Sequence, residues 1–156
     1  MDSLTTYFER GVFIKGSFES FHMLFKEADR ILTESGLVNL GFLDKLVERE
    51  IEYPTGLKTS SIPIAIPHCD YEFIKQTCIC VASLDEPVRF HQMDSPQSVL
   101  EVRLVFFLLL KDKIDHLNLL QQFFSLVQDR DLALLLLAES KDGFIKEIFT
   151  EREKND

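Results

Sequence analysis

The sequence predicts an α/β fold, a small mixed β-sheet covered by helices on both faces. Apolar residues fall at helical spacing early in the chain, in short strand-like runs across the middle, and at helical spacing again towards the end. The run VRLVFFLLL, Val102 to Leu110, is almost wholly apolar, as a central strand buried on both faces must be. The connections between the expected strands are too short and irregular for a regular doubly wound βαβ series.

Taken in order, Phe21, Leu24, Phe25, Ala28, Ile31 and Leu32 lie on one helix face, with Ser17 or Ser20 as cap and Gly36 as stop. A second helical stretch sets Leu40, Leu43, Leu46, Val47 and Ile51 together, which turns Arg49 away from the core, towards solvent or a site. Pro54 and Gly56 mark a turn, and the polar KTSS loop leads to a short strand at Ile64 to Ile66. Pro63 and Pro67 lack N–H donors and belong at its ends, so His68 stands just past a strand end. TCICVAS (Thr77 to Ser83), PVRF (Pro87 to Phe90) and the central strand follow. Helical spacing returns at Leu117, Leu120, Phe124 and Val127, then across Leu132 to Ala138, and finally at Phe144, Ile145, Ile148 and Phe149. No repeat, low-complexity segment or linker interrupts the chain, so one domain over residues 1–156 is expected.

The 156 residues are 46% hydrophobic, enough for a full core. The formal charge of −9 repels nucleic acid and anionic lipid and favours partners with a basic face. Cys69, Cys78 and Cys80 make neither an even disulfide framework nor a paired metal motif, which points to a reducing compartment. The N-terminus lacks the form of a secretory signal, and a cytoplasmic location is expected. LVFFLLL and LALLLLA are each seven residues long, far short of the roughly 20 that cross a bilayer.

Three residues have a context in which chemistry is conceivable. His68, at a strand end where loops converge, suits a nucleophile or a ligand, or else a turn residue. His116 falls in the first turn of the helix after the central strand, with Asp112 or Asp115 as cap. That place favours a neutral imidazole beside an anion, although a surface histidine reads the same way. Arg49, between Glu48 and Glu50, is either solvated or aimed at a site. His22 and His91 have no such context. A Gly-rich phosphate loop, H-E-x-x-H and G-x-S-x-G are all missing. What remains is phosphoryl or anion chemistry centred on histidine, or a binding module.

The segments EREIEYPTGL, IAIPHCD, ASLDEPVRFHQMDSP and VRLVFFLLLKDKIDHLNLLQQF occur in order and at compatible spacing. Together the stretch from Phe21 to Phe149 resembles the fructose/mannitol type of enzyme IIA of the bacterial phosphotransferase system, and within it the galactitol-specific branch. The resemblance implies that family's fold and a phosphoryl carrier in sugar-alcohol uptake. It implies that His68 takes phosphate from the phosphocarrier HPr and passes it to a cysteine of enzyme IIB, which serves the membrane enzyme IIC. His116 matches the second histidine of the site, and Arg49 the arginine beside the phosphorylated centre. Thr55 is a secondary candidate, its hydroxyl free either to bind phosphate or to serve its own turn. No cofactor or metal is implied, because transfer between protein side chains needs only positioning and charge stabilisation. Cys69 departs from the pattern: relatives carry a hydroxyl residue or glycine there, and oxidation to a sulfinate would repel phosphate. The other readings are a regulatory phospho-switch of the nitrogen or transcription-regulator type, and a metal site built by His68, His116 and Asp70. The acidic balance suggests steering towards a basic face of HPr.

Overall fold

In the computed structural model, residues 2–128 and 130–150 are described; the expected domain boundary at 156 lies outside them. Elements follow in the order α1 (Leu4–Arg10), β1 (Phe13–Gly16), α2 (Phe21–Glu34), α3 (Phe42–Glu52), β2 (Gly56–Leu57) and β3 (Ile64–Ala65). A 3-10 turn (Tyr71–Phe73), β4 (Cys78–Gln92), β5 (Ser95–Leu109), α4 (Lys113–Val127), a 3-10 segment (Leu132–Leu137) and α5 (Lys141–Ile148) complete it. Long antiparallel pairing of β4 with β5 forms the centre of a mixed five-stranded sheet. β1 runs parallel to β4, β3 runs parallel to β5, and β2 bridges β3 and the far end of β4.

Side-chain alternation on the central strands feeds a core on each face. Val105, Phe107 and Leu109 point to the layer packed by α2 and α3, with Leu24, Phe25, Phe42 and Leu46. Leu104, Phe106, Leu108 and Leu110 point to the layer of α1, α4, α5 and the 3-10 segment, with Phe8, Phe123 and Phe144. This is the architecture expected from the sequence. Ser20 caps α2 by accepting from Met23 N–H, and Gly36 takes the left-handed conformation just beyond the helix.

Several details differ from the sequence reading. α1 and β1 were not anticipated; α1 lies so close over β4 that a Cβ on Gly11 would fall 1.9 Å from the Ile79 oxygen. TCICVAS and PVRF are one strand, β4, whose register shifts between Ser83 and Val88; the exposed Asp85, Glu86 and Pro87 belong to this irregularity. Leu40 precedes α3 and is fully exposed, and Ile51 is 69% exposed, because the buried spoke of α3 is Phe42, Leu46 and Glu50. On α4, Leu119, Phe123 and Val127 make the core face while Leu117 is 67% exposed. Apolar residues surround that helix, so periodicity alone leaves its inward face ambiguous. Leu132–Leu137 is 3-10, with Leu132 and Leu135 buried at its three-residue period. Among the described residues no helix is long and apolar enough to cross a membrane.

Phe106 touches the rings of Phe8, Phe123 and Phe144, with centroids 5.0–6.3 Å away. Phe106→Ala is expected to cost about 3 to 5 kcal/mol, read as a lowered urea midpoint with an unchanged slope.

Candidate functional site

The segment leaving β3 is fixed on both sides of its prolyl link. Ile66 N–H donates to the Thr55 carbonyl, and the Pro67 carbonyl accepts from Leu108 N–H at 3.0 Å. These bonds hold His68 half-buried beside its own backbone, with Nδ1 2.8 Å from the Ile66 carbonyl oxygen. A carbonyl oxygen can only accept. Nδ1 therefore carries the proton, and in the neutral ring the lone pair lies on Nε2.

The second histidine is set by the start of α4. Asp112 caps the helix by accepting from Asp115 N–H at 2.8 Å, in the way its place in the sequence suggests. The Thr77 hydroxyl donates to Asp115 at 2.6 Å and accepts from Lys111 N–H at 3.0 Å, so the first turn is pinned to the chain entering β4. His116 lies one turn in, edge-on to His68 with ring centroids 6.4 Å apart. Its Nδ1 is 2.9 Å from the Tyr71 hydroxyl oxygen. Burial, and then the charge of His68, push its pKa below the ordinary 6.5, so it is neutral at pH 7.

Arg49 occupies the last turn of α3, its guanidinium 5.0 Å from the centroid of the Tyr53 ring. Its Nη1 is 4.0 Å from Asp70 Oδ1, and Lys45, one turn earlier, has its Nζ 3.6 Å from Asp70 Oδ2. Asp70, two residues after His68, thus draws two cations of α3 to the histidine loop. The structure brings His68 and His116 together directly and Arg49 to the same loop through Asp70. Thr55 faces elsewhere: its hydroxyl donates to Glu50 Oε1 and its N–H to Glu50 Oε2, both at 2.8 Å. Among the described residues no three His, Cys, Asp or Glu side chains gather to hold a metal ion, so His68, His116 and Asp70 do not form the metal site that was one reading.

Residues 7–151 match the family described as phosphoenolpyruvate-dependent sugar phosphotransferase system, EIIA 2. The chain belongs to this family. The galactitol-specific EIIA component of Escherichia coli K12 is 33% identical over 117 residues, 74% of this chain and 75% of that protein. Among solved structures, the mannitol IIA of Escherichia coli superposes with a TM-score of 0.69 at 20% identity, over 90% of this chain and 96% of that one. An Escherichia coli complex of mannitol IIA with phosphorylated mannitol IIB gives 0.68 at 19% identity, over 89% and 94%. At those identities the structures speak for the fold.

Four further residues of the candidate site have no role assigned by the motifs in the sequence. Lys45 pairs locally with Glu48 at 3.3 Å, but nothing local links Lys45 or Tyr71 to the histidines, since Asp70 and His116 lie 25 and 45 positions away from them. From the sequence, Asp70 enters only as a ligand of the alternative metal site. Glu50 stands in the sequence only as a neighbour of Arg49, yet it is 4% exposed. Its four-residue spacing from Leu46, on the apolar spoke, is the signal that could have found it.

Burial pushes the Glu50 carboxyl from 4.5 up to about 7, against the opposing effect of the two Thr55 donors. The folded state then holds the proton more tightly than the unfolded one. This contribution to stability is complete below pH 4.5 and is lost as pH rises through about 7, a difference on the order of 3 kcal/mol. His116 works in the opposite sense: its contribution is complete above pH 6.5 and falls away below that. Denaturation of wild type and Glu50→Gln from pH 5 to 7.5 separates the two, since only the wild type carries the downward slope from Glu50; identical slopes would show a carboxylate ionised throughout.

Cys69 is buried, and burial followed by Asp70 raises its thiol to about 12. The thiolate that oxidation requires is therefore absent at neutral pH, which answers the concern raised by its place beside His68. Cys78 and Cys80 are free and buried as well. A disulfide reagent at pH 8 is expected to titrate none of the three until denaturant is added; rapid native labelling at Cys69 would contradict this.

Proposed function

We propose that this EIIA chain is a cytoplasmic phosphoryl carrier of a sugar phosphotransferase system, of the galactitol-like kind, with His68 as the acceptor. The observation that carries the reading is the bond from His68 Nδ1 to the Ile66 carbonyl, which leaves Nε2 as the nucleophile. Nε2 attacks the phosphorus of phospho-HPr; a new N–P bond forms as the bond to the donor nitrogen breaks, and that nitrogen keeps the electron pair. Because Nδ1 stays protonated, the phosphorylated ring is formally cationic, and the carbonyl stabilises that charge. The same charge makes the ring a good leaving group. A cysteine thiolate of enzyme IIB then attacks phosphorus, and the N–P electrons return to Nε2. Enzyme IIB in turn serves the membrane enzyme IIC.

Arg49 and Lys45 supply positive charge for the phosphoryl oxygens, for which they exchange part of their attraction to Asp70. His116 enters as a neutral donor rather than a third cation. The formal charge of −9 suits encounter with a basic face on HPr. The 33% identity to a galactitol-specific EIIA favours transport over a regulatory switch.

Purified chain mixed with phospho-HPr should gain one acid-labile, alkali-stable phosphate at His68 Nε2, located by phosphorus–nitrogen NMR, and lose it on addition of enzyme IIB. His68→Ala should accept none, and Arg49→Ala should accept about a hundredfold more slowly. Full acceptance by His68→Ala would overturn the assignment. A stable phosphoprotein that never passes its phosphate on would make the chain a regulatory switch instead.

A further inference from the structure

Two imidazoles stand side by side here, and only one of them can be the nucleophile without confusion of roles. We infer that Tyr71 is a positioning residue: its hydroxyl donates to His116 Nδ1, which places the ring proton on Nε2 and makes His116 a hydrogen-bond donor to the phosphoryl group on His68. The second half of this statement rests on the reading of His68 as acceptor; the first half does not.

Tyr71 is 37% exposed, yet its backbone is held firmly. The Phe73 carbonyl accepts from Asn39 N–H at 2.8 Å, the Glu72 carbonyl from the Asn39 side-chain amide at 2.9 Å, and Lys75 N–H donates to the Leu37 carbonyl at 2.9 Å. The Phe73 ring also closes over Gly41, where a Cβ would meet it at 3.0 Å. The 3-10 turn is thereby fastened to the loop between α2 and α3. From that turn the Tyr71 ring stands edge-on to His116, at an interplanar angle of 85° and 5.9 Å between centroids.

Two proton arrangements fit a 2.9 Å contact between the Tyr71 oxygen and His116 Nδ1. In one the phenol donates and Nε2 carries the ring proton. In the other Nδ1–H donates to the phenol oxygen and Nε2 is bare. A phenol, with a pKa of about 10, is a far better donor than a neutral imidazole N–H, and an imidazole nitrogen is a far better acceptor than a phenol oxygen. The first arrangement therefore prevails. It also suits the ligand, since a bare Nε2 would set its lone pair against phosphoryl oxygens and offer a second nucleophile 6.4 Å, ring to ring, from the first. The Ile66 carbonyl and the Tyr71 hydroxyl thus assign opposite tautomers to His68 and His116.

The tautomers are read directly by nitrogen NMR on the unphosphorylated chain labelled at histidine, above pH 7.5. The expected result is a protonated Nδ1 at His68 and a protonated Nε2 at His116; a protonated Nδ1 at His116 overturns the inference whatever the chain's function. For the transfer step, Tyr71→Phe keeps the ring and removes the donor. Single-turnover acceptance from phospho-HPr should slow by about tenfold. In a His116→Ala background the same change should have no further effect, because Tyr71 acts only through that ring. An equal loss in both backgrounds, or no loss in either, overturns the positioning role. Should His68→Ala still accept phosphate, the functional reading fails while the tautomer result stands.

Discussion

The site depends on what each histidine meets at Nδ1. For His68 it is the carbonyl of Ile66, an obligate acceptor 2.8 Å away. That carbonyl is available because β3 ends at Ala65, so Ile66 lies outside the ladder while its N–H is still held by the Thr55 carbonyl. Pro67 contributes no N–H, and its carbonyl is tied to Leu108 on the central strand β5. Orientation of the ring is therefore a consequence of strand geometry. The sheet packed on both faces fixes β5, β5 fixes Pro67, and the short arc between them fixes the imidazole.

The charges around that arc are arranged by α3. Lys45 and Arg49 are four residues apart and share the face that looks at Asp70. Between them and the core runs the spoke Phe42, Leu46 and Glu50, so the same helix that presents cations to the site hides a carboxyl beneath it. Glu50 grips the backbone and hydroxyl of Thr55, which leads into β2, and Thr55 in turn holds Ile66. A chain of bonds thus links the end of α3 to the carbonyl that orients His68. Thr55 serves the site through its backbone, by position, while its hydroxyl belongs to Glu50.

Much of this was legible from residue order. Periodicity located α2, α3, β5 and the final helices because each repeats its pattern over two turns or more, or over a long apolar run. The first helix and strand escaped notice for the opposite reason: seven and four residues leave too short a pattern, and their burial comes from contacts with β4 and α5. Pro87 made one strand look like two, since the irregularity that accommodates it is a tertiary feature. His68, His116 and Arg49 lie in motifs that local sequence can express, and Glu50 is legible from its spacing to Leu46 on the apolar spoke. Tyr71 and the contact of Lys45 with Asp70 are not, because each depends on a partner supplied by folding.

A carrier built on His68 has to hold phosphate well enough to accept it and loosely enough to surrender it. Three fixed cations around the acceptor would meet the first need and defeat the second, since binding the intermediate tightly deepens the well from which the next transfer must climb. On the proposed reading, the residues around His68 temper the hold in two ways. Asp70 stays within reach of both Lys45 and Arg49, so a departing phosphoryl group leaves behind cations that already have a carboxylate to return to. His116, whose pKa burial and then His68 lower from the ordinary value, would with the inferred tautomer offer a directional donor without a full charge. A donor of that kind stabilises charge where geometry places it and exerts little pull beyond. If the chain works as proposed, cations shared with Asp70, and in the case of Lys45 also with Glu48, together with a neutral imidazole suit a reversible relay between two partner proteins.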